Sequence, residues 1–195
     1  MRTPLLAVAA SLLLVGCSPT ETPVGDAEQM LSERTDAMPA EANDTDVHFL
    51  GMMVPHHQQA IDMADVLLAS AVGDPEVRDL AERIRDGQQR ENDEMTALAD
   101  EWRIGPDMEL HSHHIANGMV SPGVFDTYAQ LEGEELRTRF LELMHFHHAE
   151  VIAMTQDQVD NGGYAPLREL AGEMIEVQIA EMREMERLYG GVPTP

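Results

Sequence analysis

Phe49-Leu50-Gly51-Met52-Met53-Val54-Pro55-His56-His57 aligns without a gap to Phe140-Leu141-Glu142-Leu143-Met144-His145-Phe146-His147-His148, and the match continues through Ile61 with Ile152 and Met63 with Met154. A second block follows each copy. Arg78-Asp79-Leu80-Ala81 corresponds to Arg168-Glu169-Leu170-Ala171, and Gln88, Glu91, Met95 and Leu98 correspond to Gln178, Glu181, Met185 and Leu188, with a slip of one residue between the blocks. A self-similarity of this length marks each copy as one supersecondary unit.

The period inside each block is helical. Phe49, Met53, His56, Ala60, Met63 and Leu67 recur at alternating intervals of four and three residues, as do Phe140, Met144, His147, Val151 and Met154. That spacing draws one stripe down a helix, the pattern of a helix packed in a bundle. Leu80, Ile84, Gln88, Glu91, Met95, Leu98 and Trp102 form a stripe in the second block, matched by Leu170, Met174, Gln178, Glu181, Met185 and Leu188.

Breaks separate the blocks. Gly73-Asp74-Pro75 offers a helix stop, an N-cap and a proline for the first turn; Asn161-Gly162-Gly163 with Pro166 does the same in the second copy, and Gly105-Pro106 ends the first copy. The expectation is an all-α protein, a four-helix bundle built from two repeated helical hairpins. Its domain spans 45–190, with repeat one at 46–104, a connector at 105–133 that carries a short helix from Val124 to Leu131, and repeat two at 134–189.

The N-terminus is set apart from this domain. Met1-Arg2 precedes an apolar run from Leu5 to Val15 that is too short to span a bilayer, and the run ends in Leu14-Val15-Gly16-Cys17. This segment, 1–17, resembles a lipoprotein export signal in which Cys17 is lipidated. Residues 18–44, rich in Pro, Thr, Glu, Asp and Ala, are expected to form a disordered acidic tether between the lipid and the domain. The expected location is extracytoplasmic, on the bacterial membrane.

Cys17 is the one cysteine of 195 residues, so any metal site in the domain must use His, Met, Asp, Glu or backbone groups. Twelve arginines, without a single lysine, face 36 acidic residues for a net charge of −24. That balance opposes nucleic acid and anionic lipid as partners and favours cations.

The polar residues inside the stripes carry the chemistry. A buried carboxylate without a partner is costly, so Glu91 and Glu181 are expected to meet a histidine, a metal or each other, with the His56-His57 and His147-His148 pairs on the neighbouring helices. Pro55 cannot donate a backbone hydrogen bond to Gly51 and is expected to kink its helix just before His56; Phe146 stands in its place in the second copy. Two readings remain open at this level: imidazole and thioether as metal ligands, or a His-Glu-Gln polar layer that sets the register of four helices without metal.

The motifs Met53-Val54-Pro55-His56-His57 with Gln88, Glu91 and Met95, and Met144, His147 and His148 with Gln178, Glu181 and Met185, resemble the domain of unknown function 305 family. Gly118-Met119 and Phe125-Asp126 look like that family's linker between copies, so the resemblance covers about Asp46 to Leu188. It implies a ferritin-like four-helix arrangement. It also implies copper handling, since some exported members of the family are associated with copper binding through Met and His.

The expected ligands are His56, His57, His147 and His148 with Met53, Met63, Met144 and Met154; Gln88, Glu91, Met95, Gln178, Glu181 and Met185 are supporting residues or further ligands. Thioether sulfur is soft and suits Cu(I), while imidazole takes either oxidation state. The connector cluster His111-Ser112-His113-His114 is a possible accessory site. Enzymatic function is not expected. A di-iron centre needs paired Glu-x-x-His motifs, and only Glu142-x-x-His145 occurs, opposite Gly51 and Val54. Nucleophile elbows, phosphate loops and dinucleotide fingerprints are absent from the sequence. The rival function is a structural or protein-interaction module at the cell surface.

Overall fold

The computed structural model describes residues 37–105 and 118–194. Cys17, the tether up to residue 36 and the connector histidines His111, His113 and His114 lie outside them; the last residues of the expected tether are ordered, because Met38 and Ala42 pack on the apolar core and Asn43 caps the first helix. Four long helices carry the fold: α1 (Asp44–Ala69), α2 (Pro75–Glu101), α4 (Gly133–Asn161) and α5 (Ala165–Tyr189), with a short α3 (Pro122–Tyr128) between the hairpins. Among the described residues no helix is long and apolar enough to cross a membrane.

Local chemistry sets the helix ends. Asn43 begins α1 with a reciprocal capping box, its Oδ1 accepting from the Thr45 and Asp46 amides while Asp46 accepts from the Asn43 amide. Asp74 caps α2 through the Glu76 and Val77 amides, with Pro75 at the first helical position. Despite Pro55, α1 runs unbroken from Asp44 to Ala69. The Asn92 side-chain amide of α2 donates to the Val54 carbonyl (3.1 Å), a tertiary contact on the residue that precedes the proline.

Within each hairpin the helices pack antiparallel, and α1 also packs on α4; α2 and α5 touch far less. Two apolar cores result. One joins Ala60, Met63 and Leu67 of α1 to Leu80 and Ile84 of α2, Phe140 and Met144 of α4 and Met185 of α5. The other joins Phe49, Leu50 and Met53 of α1 to Met95 and Ala99 of α2, Val151 of α4 and Leu167 and Met174 of α5. The repeat exchanges these cores: Phe49 and Met53 lie in one, their counterparts Phe140 and Met144 in the other, and Met95 and Met185 are likewise divided. The hairpins are therefore related by an approximate two-fold axis through the middle of the bundle.

Polar braces close the two ends. Tyr164 begins α5 without a side-chain cap of its own. Asp46, fully buried, supplies it from α1: its carboxylate accepts from the Gly163 amide (3.0 Å), the Tyr164 amide (3.2 Å) and the Gln158 side chain (2.6 Å). Gly163 passes so close to the Glu41 carbonyl that a Cβ there would sit 1.9 Å from its oxygen. At the opposite end Arg137, the repeat counterpart of Asp46, donates to Asp74 (2.7 Å) and to the Leu188 carbonyl (2.9 Å). The guanidinium holds the Asp74 carboxyl below its ordinary range. A third brace is the Tyr128 hydroxyl of α3, which donates to the Met63 carbonyl (2.6 Å); burial pushes this phenol's pKa up.

Removing the Asp46 carboxylate strands three backbone amides, those of Asn43, Gly163 and Tyr164, and one side-chain amide, a cost of roughly 3 kcal/mol or more. Asp46→Ala is expected to lower the unfolding free energy by that amount in urea titration. A loss under about 1 kcal/mol would show that the junction does not depend on this carboxylate.

Candidate metal centre

Between the two cores lies a polar layer. His56 and His57 come from the middle of α1, His147 and His148 from the middle of α4, and all four are buried, none more than 2% exposed. Equivalent residues meet at the approximate axis: the His56 and His147 rings stack with centroids 3.6 Å apart and planes 32° apart. His57 and His148 flank this pair, 6.5 Å from His56 and 6.3 Å from His147 respectively.

The outer two rings are held from α2 and α5. His57 Nε2 lies 2.7 Å from Glu91 Oε2, and His148 Nε2 lies 2.8 Å from Glu181 Oε2. With a carboxylate as acceptor, Nε2 is the nitrogen that carries hydrogen, so a neutral ring presents a bare Nδ1. Both Nδ1 atoms are buried without a partner, and none of the four nitrogens of His56 and His147 makes a well-formed hydrogen bond. Six of the eight imidazole nitrogens in the layer are thus buried and unpaired.

The methionines flank the layer on both sides. Met63, Met144 and Met185 belong to one apolar core. Their repeat counterparts Met154, Met53 and Met95 belong to the other, where Met154 is half-buried and the rest are fully buried. Gln88 and Gln178 sit on the α2 and α5 side, each 4% exposed, with Oε1 unpaired. Among the described residues no three His, Cys, Asp or Glu side chains form a cluster able to hold a metal. A metal held here therefore needs sulfur or amide oxygen alongside imidazole.

Two contributors escaped sequence reasoning. Asn92 is buried beside Glu91, yet it stands one position off the helical stripe. Gln59 clamps the chain as it leaves the connector, accepting from the Val120 amide (2.7 Å) and donating to the Val120 carbonyl (2.8 Å). Nearby, Gly118 (φ 79°) lies so close to Glu150 of α4 that a Cβ would fall 2.3 Å from the Glu150 Cβ. Only a contact map reveals such long-range clamps; their one sequence cue is the glycine.

Burial is the main force on His56 and His147, and each pKa falls well below 6.5, with neighbouring imidazoles pushing the same way. A weak backbone approach by His56 opposes this slightly at His147. Both rings are neutral in the folded protein at neutral pH. In the unfolded chain they take up protons near 6.5, so the unfolded state binds more protons below that pH. Stability is accordingly full above about 6.5 and is lost as pH falls toward the lowered folded values, by up to about 1.4 kcal/mol per pH unit for each ring. Urea unfolding of the metal-free protein is expected to show this decline, and His56→Leu/His147→Leu to flatten it. An equally steep profile in the double variant would assign the acid sensitivity elsewhere.

Residues 46–189 match the domain of unknown function DUF305. Among solved structures, a DUF305 protein of Streptomyces coelicolor is 26% identical with a TM-score of 0.69, over 80% of this chain and 99% of that one. A DUF305 fragment from Deinococcus radiodurans is 30% identical with a TM-score of 0.66, over 76% and 97%. CopM in its Cu(I)-bound form is 30% identical with a TM-score of 0.62, again over 76% and 97%, and CopM structures with Cu(II) and Ag are also similar. None of the curated proteins matches the chain. With the family's domain covering most of its length and the same helical bundle in its structural relatives, the chain belongs to the DUF305 family.

Proposed function

We propose that this is an exported lipoprotein, anchored through Cys17 and the tether that follows it, whose domain binds and sequesters copper with His and Met side chains. The observation that carries the reading is the set of six buried, unpaired imidazole nitrogens between two methionine-bearing cores. A polar layer built only for stability is expected to satisfy its buried groups, because each unpaired donor or acceptor costs about 1–3 kcal/mol. Metal ligands need the opposite, a lone pair without a competing proton.

In this reading His57 and His148 offer Nδ1, and Glu91 and Glu181 orient the rings and raise their basicity through Nε2, as outer carboxylates do for ligating histidines. His56 and His147 offer neutral rings at the axis. Met53, Met63, Met95, Met144, Met154 and Met185 are the soft donors on either side, favouring Cu(I). The similarity to CopM, whose structures hold Cu(I), Cu(II) and Ag, supports copper as the cargo. The lipobox-like Leu14-Val15-Gly16-Cys17 supports an extracytoplasmic location. The role is binding and storage rather than catalysis.

The two short His-Glu pairs also suit the second reading, a register-setting polar layer in a structural or interaction module. Anaerobic Cu(I) titration against a competing chelator separates the two. Tight, saturable binding is expected, lost when His56, His57, His147 and His148 are all changed to Ala. Glu91→Gln/Glu181→Gln, a milder change that keeps shape, is expected to weaken binding about 10- to 100-fold. Absent binding, or binding equal in the folded variants and the parent, would transfer the assignment to the polar layer.

A further inference from the structure

The weak contact between α2 and α5 leaves a groove of ≈720 Å³ along their seam, and its walls include Gln88, Glu91, Gln178 and Glu181. Both repeats thus contribute their equivalent residues to the walls of one cavity. Glu91 and Glu181 turn one oxygen inward to histidine, while their side chains retain 21% and 12% exposure. Gln88 and Gln178 are 96% buried, and both amide oxygens lack a donor.

Further carboxylates, Asp79, Glu82 and Asp86, line the same groove. Glu184 lines it too, engaged with Arg83 (2.5 Å), and Arg90 is the other arginine of the lining, so six carboxylates stand against two guanidinium groups. The surrounding potential is negative, and the available donors are oxygens only: two amide carbonyls and two carboxylates. Oxygen sets of this kind select hard divalent ions over Cu(I). Two carboxylates are too few for full coordination, so the ion retains part of its water shell, as Mg²⁺ and Mn²⁺ commonly do. The two carboxylates balance its charge, and the amide oxygens gain the partner they lack.

We infer that the α2–α5 groove is a second cation site, separate from the His-Met layer, in which Gln88, Gln178, Glu91 and Glu181 hold one partly hydrated hard divalent cation per chain. The site stands at the solvent side of the same carboxylates that orient His57 and His148.

Titration of the purified protein with MnCl₂, following the six-line electron paramagnetic resonance signal of free aquo-Mn²⁺ in about 0.1 M salt to screen diffuse attraction, tests the assignment. Saturable loss of signal at one ion per chain is expected, with affinity reduced at least tenfold in Gln88→Leu/Gln178→Leu. That variant removes two unsatisfied buried acceptors, so its thermal unfolding is expected to be no lower than the parent's. Absent saturation, or equal affinity in parent and variant, would reduce the groove to a generally acidic surface and overturn the site. Parallel Cu(I) titration of the parent keeps the two assignments apart. Mn²⁺ binding without Cu(I) binding refutes only the copper reading, and the reverse refutes only the groove.

Discussion

Two imidazoles stacked 3.6 Å apart at the centre of a helical bundle impose a demand on everything around them. Charged rings would repel at that distance, so the site must be dry enough to keep both neutral. The sealing falls to the apolar cores on either side, filled by Phe140, Met144 and Ile84 in one and Phe49, Met53 and Trp102 in the other. The outer pair, His57 and His148, can then be steered from the far helices by Glu91 and Glu181. Fold and site depend on one arrangement: the polar layer needs both cores, and the cores are kept apart by the layer.

That interdependence explains where the bundle is tight and where it is loose. The α1–α4 seam carries the stacked rings and is closely packed, and each hairpin is zipped along its length. The α2–α5 seam carries glutamine and glutamate instead of apolar side chains at its middle and stays open as a groove. Buried polar braces compensate at the extremities. Asp46 ties the start of α1 to the turn between α4 and α5, and Arg137 ties the start of α4 to the turn between α1 and α2.

Much of this was legible in the residues. The alternating four-three stripe from Phe49 to Leu67 placed the seam of α1, and all six of its members are buried. Gly73-Asp74-Pro75 announced the turn into α2, where Asp74 caps and Pro75 leads. For Glu91 and Glu181 the stripe calls for a histidine, a metal or each other as partner; the structure leaves both half-buried and pairs them with His57 and His148. Other features depend on three dimensions. The sequence cannot display which ring stacks on which, because that follows from how the hairpins cross. The cap of α5 comes from Asp46, more than a hundred positions upstream, and its own turn offers only Tyr164. The proline in α1 leaves the helix unbroken, and Asn92 makes its contact from another helix, outside the reach of any local rule.

Meeting of equivalent residues on a two-fold axis has a consequence for ancestry. A site on such an axis is one that two identical hairpins can build together, so the layer has the form that a self-pairing single hairpin would give after duplication and fusion. Identical partners must change in both halves at once; fused ones are free to diverge. Asp46 opposite Arg137, Asn92 opposite Met182 and Pro55 opposite Phe146 are differences of that kind. The stacked histidines, by contrast, are the same residue in both halves.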